Sequence, residues 1–118
     1  MDVGNPSNME RFSSLYNDDI ELSHDMDCVS VSDTEITQQI EQQFRESDMV
    51  ICPHTATGFK AYDLLKKAEN ENRHWIIVST AHPAKFENIV EPIIHQTIDI
   101  PINLMSILEK ESVYTEID

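Results

Sequence analysis

Two short runs in which every residue is apolar, Met49-Val50-Ile51-Cys52 and Trp75-Ile76-Ile77-Val78, constrain the fold of this chain more than any other feature. A strand that reads as unbroken hydrophobics is covered on both faces, the usual condition of strands in a parallel sheet. Turn chemistry cuts off each run: Pro53 follows the first directly, and Ser79-Thr80-Ala81-His82-Pro83 follows the second. Helical patterns stand on either side. Ser32-Asp33-Thr34-Glu35 has the form of a capping box, and Ile36, Ile40 and Phe44 recur every four residues after it. That spacing predicts one buried helical stripe to about Glu46. A second helix is expected from about Thr55, with Ala56, Phe59, Ala61, Leu64, Leu65 and Ala68 as its apolar residues. Phe86, Ile89, Val90 and Ile93 mark a third, ending near Pro92 or soon after. The order helix, strand, helix, strand, helix predicts an α/β fold, with short parallel strands flanked by helices. Two or three strands are few for such a sheet, a first hint that the chain is part of something larger.

The flanks add less. Asn5-Pro6-Ser7 is set to start a helix whose apolar residues are Met9, Phe12 and Leu15. Asn17 to Asp27 is acidic and irregular, as a connector would be, and Cys28-Val29-Ser30-Val31 reads as a short strand or extended entry. Leu104 to Ile107 suits one more helical turn or two. No repeat or Gly/Ser linker divides the 118 residues, a length that suits one domain with a modest core.

Charge excludes several partners. The formal net charge is -14, and the acidic excess is concentrated in residues 1–48, with twelve acidic side chains against two basic. Such a surface repels phosphates, which disfavours nucleic acids and anionic membranes. No apolar run approaches the roughly 20 residues that cross a bilayer. Asp2 and Glu10 stand where a secretory signal needs a basic start and an apolar stretch. The two cysteines, Cys28 and Cys52, make no disulfide framework, so a reducing cytoplasm is the expected location. Gly4 and Gly58, the only glycines, are too far apart to build a phosphate-cradling loop.

In α/β folds the loops at the carboxyl ends of parallel strands bind ligands. Here those loops are Pro53-His54-Thr55 and Ser79-Thr80-Ala81-His82, each combining hydroxyls with an imidazole. From spacing alone, Thr55 and Ser79 or Thr80 serve either as helix caps or as ligand contacts, with capping ahead. Cys52, His54, His74 and His82 lack zinc-finger spacing, so no metal site is expected. A Cys/His nucleophile pair is equally unsupported, since Cys52 ends an apolar strand and reads as a small buried hydrophobe. No carboxylate spacing singles out a catalytic pair, and Lys85 reads as an exposed helix-start residue before an anion contact.

Three stretches, Met1-Asp-Val-Gly-Asn-Pro-Ser-Asn8, Cys52-Pro-His-Thr-Ala-Thr-Gly-Phe-Lys-Ala-Tyr62 and Ser79-Thr-Ala-His-Pro-Ala-Lys-Phe86, resemble the C-terminal third of threonine synthase in order and spacing. The resemblance runs from the first residue to at least Pro101, and Thr80-Ala-His-Pro-Ala-Lys-Phe86 is its most specific part. It implies the large domain of a fold-type II pyridoxal phosphate enzyme, a phosphate-eliminating lyase of threonine biosynthesis. In the family, O-phospho-L-homoserine and water give L-threonine and phosphate, and a lysine holds the cofactor as a Schiff base.

By the same resemblance Thr80 is the cofactor-binding residue, set against the pyridine nitrogen. Ser79 and His82 would lie beside it, and His54 and Thr55 would flank cofactor or substrate. No catalytic residue is carried over, because none of the five lysines, Lys60, Lys66, Lys67, Lys85 and Lys110, stands in a matching context. The resemblance places that lysine and the phosphate loop upstream of any residue here. Residues 1–118 are accordingly expected to be an incomplete C-terminal segment, from a truncation, a split gene or an excised piece, inactive alone and complemented by an N-terminal segment. The competing expectation is a non-catalytic module that complements a partner or dimerises through exposed sheet edges.

Overall fold

The structure is a computed structural model that describes residues 9–16, 22, 25–65, 73–111 and 113–115. It forms two units, residues 1–30 and 31–118. The expected connector from Asn17 to Asp27 lies largely outside the described residues. In the first unit the expected helix is present as α1, Met9–Leu15, and the Tyr16 hydroxyl donates to Asp25 Oδ2 at 3.2 Å.

The second unit carries the core. Helix α2 spans Asp33–Ser47, α3 Pro53–Leu65 and α4 Glu87–Ile94, and a 3₁₀ turn at Pro83–Phe86 leads into α4. Helix α5, Ile102–Leu108, follows where the Leu104–Ile107 pattern placed it. Helix α2 packs on both α3 and α4. Its four-residue stripe faces inward as the spacing required: Ile40 is fully buried, and Ile36 and Phe44 pack on the same cluster. Ile51, Ala56, Ala84, Val90, Ile94 and Ile98 complete the core.

The capping box is formed in full. Ser32 Oγ accepts from the N–H of Glu35, and Glu35 Oε2 accepts from the N–H of Ser32 at 2.9 Å and from its hydroxyl at 2.8 Å. The Ser32 N–H and hydroxyl, with help from Lys60 on α3 at 3.5 Å, hold the Glu35 carboxyl below its ordinary range against a smaller opposing effect of burial. A depressed carboxyl stabilises the fold above its unfolded value of 4.5, and that contribution is lost as pH falls through the folded value. Ser32→Ala is expected to cost about 1 kcal/mol by urea denaturation. A Ser32→Ala urea midpoint equal to wild type would show that the cap contributes nothing.

With so few glycines, other residues end the helices. Asp48 closes α2 and His95 closes α4, at φ 53° and φ 54°, and Asp and His are among the side chains that tolerate this left-handed region best. After α4 the chain returns over the core, and the Ile98 N–H donates to Glu91 Oε1 at 2.9 Å.

The expected parallel strands require correction. Among the described residues there is no strand, and Cys28–Val31, Met49–Cys52 and Trp75–Val78 all lie outside regular structure. The first apolar run is buried nonetheless: Ile51 and Cys52 sit in the interior, with Met49 turned out. The second run is exposed, with Ile76 at 89% and Val78 at 70% of full exposure. Only Ile77 turns inward, against Gly58 of α3, where an added Cβ would meet its Cγ2 at 3.0 Å. The physical reason is pairing. A run of hydrophobics becomes a buried strand only when neighbouring strands supply ladder partners and a second covering face, and the described residues supply neither.

Candidate functional site

Pro53 occupies the first position of α3, where its missing N–H costs nothing, and Cys52 before it takes the N-cap position. The Cys52 carbonyl accepts the N–H of Ala56 at 3.0 Å, and its Sγ accepts the N–H of Thr55 at 3.5 Å, as a capping side chain does. Thr55, third in the helix and 4% exposed, also sets its hydroxyl 3.2 Å from that sulfur. Burial alone would push the Cys52 thiol up. The Thr55 hydroxyl and the N–H groups of Thr55, His54 and Ala81 outweigh it and hold the thiol below its ordinary value.

The two loops meet here. Thr55 Oγ1 donates to Ser79 Oγ at 3.3 Å, across 24 positions of sequence. Thr80 comes next, exposed, and no hydrogen bond to its hydroxyl is formed among the described residues. His54 lies on the same α3 terminus with its ring edge against Phe86, centroids 5.2 Å apart, and its Nδ1 is buried without a hydrogen-bond partner. His82 is exposed, and its Nδ1 accepts the N–H of Ala84 at 3.2 Å as the cap of the 3₁₀ turn.

Thus the structure joins Cys52, Thr55 and Ser79, sets Thr80 beside them, and leaves His54 against Phe86. The capping roles expected of Thr55, Ser79 and Thr80 belong to Cys52 and His82 instead. A signal for both was in the sequence: each stands immediately before a proline at a helical first position, which is where a cap must be. Lys85 and His74 are exposed. Among the described residues no three His, Cys, Asp or Glu side chains come close enough to hold a metal ion, and no helix is long and apolar enough to cross a membrane.

The neighbourhood is therefore rich in hydroxyls, with two imidazoles and a thiol that draws several donors. Residues 55–118, which include Thr55, Ser79 and Thr80, match the family model described as threonine synthase, C-terminal. The chain belongs to the threonine synthase family. It is 34% identical over 104 residues to threonine synthase of Escherichia coli (strain K12), a match covering 88% of this chain and 23% of the relative. The threonine synthase of Buchnera aphidicola subsp. Acyrthosiphon pisum is 35% identical over 107 residues, covering 90% of this chain and 24% of the relative. That of Schizosaccharomyces pombe is 30% identical over 89 residues, covering 69% and 17%. The chain thus spans about a quarter or less of the length of these curated relatives. No solved structure matches it significantly.

Proposed function

We propose that residues 1–118 are the C-terminal segment of a pyridoxal phosphate-dependent threonine synthase. In this reading the enzyme is a cytoplasmic lyase of threonine biosynthesis that takes O-phospho-L-homoserine and water to L-threonine and phosphate. The observation that carries the reading is the bond from Thr55 to Ser79, which draws both resembling loops together within the family-matched stretch.

The residues present suit one end of the cofactor and not the other. The uncommitted hydroxyl of Thr80 suits a pyridine nitrogen, and the partnerless buried Nδ1 of His54 is a polar atom that the chain itself leaves unsatisfied. No glycine cluster is present to cradle a phosphate. Pyridoxal phosphate, when bound, supplies the electron sink for the carbon chemistry. Thr80 would hold the ring nitrogen through a neutral hydrogen bond, without imposing the full proton that a carboxylate partner would favour. Thr55 and Ser79, bonded to each other one residue before Thr80, would fix the chain that carries that hydroxyl.

Alone, the chain is inactive in this reading, because the lysine and phosphate grip belong to an upstream segment that must complement it. Pyridoxal phosphate mixed with the purified chain should give no Schiff-base absorbance that survives dialysis. A stable band would overturn the division of labour.

A second reading, a non-catalytic module that associates through an exposed edge, is favoured by the exposure of Ile76 and Val78. The mass of the chain in size-exclusion chromatography with light scattering separates the two. A stable homodimer on its own favours the module, and a monomer that pairs only with the upstream segment favours the enzyme.

A further inference from the structure

We propose that Thr55 is a positioning residue: its hydroxyl clasps the 79–82 loop onto the N-terminus of α3 through Ser79 and so sets where Thr80 is presented. The importance of presenting Thr80 rests on the function proposed above, whereas the clasp itself does not. Among the described residues segment 74–80 has no ladder partner, and Ile76 and Val78 are exposed. It is held from within this chain by Ile77 against Gly58, by the edge contact of Trp75 with Tyr62 at 5.3 Å, and by the bond from Thr55 to Ser79. Of these, the bond to Ser79 lies nearest Thr80, one peptide unit away.

The anchor of this clasp is buried and its far end is exposed, as the two roles require. Thr55 is buried in the helix, and the sulfur of Cys52 lies 3.2 Å from its hydroxyl. A hydroxyl carries one proton. Thr55 donates that proton to Ser79. Ser79 then keeps its own proton, next to the hydroxyl of Thr80. The loop that presents Thr80 is thereby joined to the thiol through Thr55, which bonds Ser79 at 3.3 Å and meets the Cys52 sulfur at 3.2 Å.

That last contact makes the clasp measurable without any cofactor. In the 118-residue chain carrying Cys28→Ser, Cys52 is the one remaining thiol, 1% exposed, and its labelling by a disulfide reagent under native conditions reports loop opening. Ser79→Ala removes only the exposed end of the clasp. It should raise the labelling rate about tenfold, the effect of losing one hydrogen bond that opposes opening. The melting temperature should stay within about 5 °C. In a Thr55→Val background the bond is already absent, so adding Ser79→Ala should change the rate less than twofold (about RT ln 2). Thr55→Ser keeps the hydroxyl and should retain the wild-type rate, a rescue that packing alone does not predict. Thr55→Val should also move the amide resonance of Thr80, 25 positions away, while Thr57→Val, whose hydroxyl only donates to Pro53 O, should not. Labelling at the wild-type rate in Ser79→Ala overturns the clasp, as does an undiminished Ser79→Ala effect in the Thr55→Val background. These readouts contain no pyridoxal phosphate, so they stand or fall apart from the cofactor reading of Thr80.

Discussion

Thr80→Asp is expected to lower turnover of the assembled enzyme, this chain together with the lysine-bearing upstream segment, by about 100-fold or more. The reason is the charge at one atom. A hydroxyl bonds to a pyridine nitrogen whether or not that nitrogen carries a proton, whereas a carboxylate at the same distance favours the protonated ring. In the position proposed for Thr80, the substitution would therefore alter the electron demand of the cofactor ring. Thr80→Ser, which preserves a neutral hydroxyl, should stay within about tenfold of wild type. Thr80 is exposed and outside the core, so neither variant should shift the melting temperature of the isolated chain. Phosphate release measured against substrate concentration, with pyridoxal phosphate saturating, gives the comparison. Unchanged kinetics in Thr80→Asp would remove Thr80 from the cofactor site.

Helices were legible here wherever local chemistry decides them. Ser32 and Glu35 form the cap that their spacing announces, and Ile36, Ile40 and Phe44 face the core because a four-residue period on a helix leaves them no other common face. The site was legible in part. The Pro53-His54-Thr55 and Ser79-Thr80 loops were singled out by their place after the apolar runs, and the structure brings them within a hydrogen bond of each other. Their internal roles were not legible, because Cys52 is a poor cap by propensity and takes the position through the proline that follows it.

The sheet was misread for a different reason. A strand is a relation between segments, and an apolar run states only that something covers it. For Ile51 and Cys52 the cover is this chain's own core. For Trp75–Val78 no such cover exists among the described residues, and the pattern of Ile77 turned in between Ile76 and Val78 turned out is the two-residue alternation of a strand with one face uncovered.

Ile76→Asp with Val78→Asp is accordingly expected to abolish association of the chain with an upstream segment of the family, such as the part of the Escherichia coli relative that this chain does not span. Docking a neighbouring strand against this run would bury two large aliphatic side chains, each contributing about 1.5–3 kcal/mol. Together they contribute about 3–6 kcal/mol, or roughly 10²–10⁴ in Kd. A buried aspartate at either position would add a desolvation cost to that loss. Both side chains already face water in the isolated chain, so the double variant should keep its melting temperature, and loss of binding could not be ascribed to unfolding. Titration calorimetry with the separately purified upstream segment reads the effect directly. Wild-type affinity in the double variant would show that the run is not the docking edge. If the wild-type chain self-associates without the upstream segment and the double variant does not, the same edge serves a dimer, and the module reading gains over the enzyme.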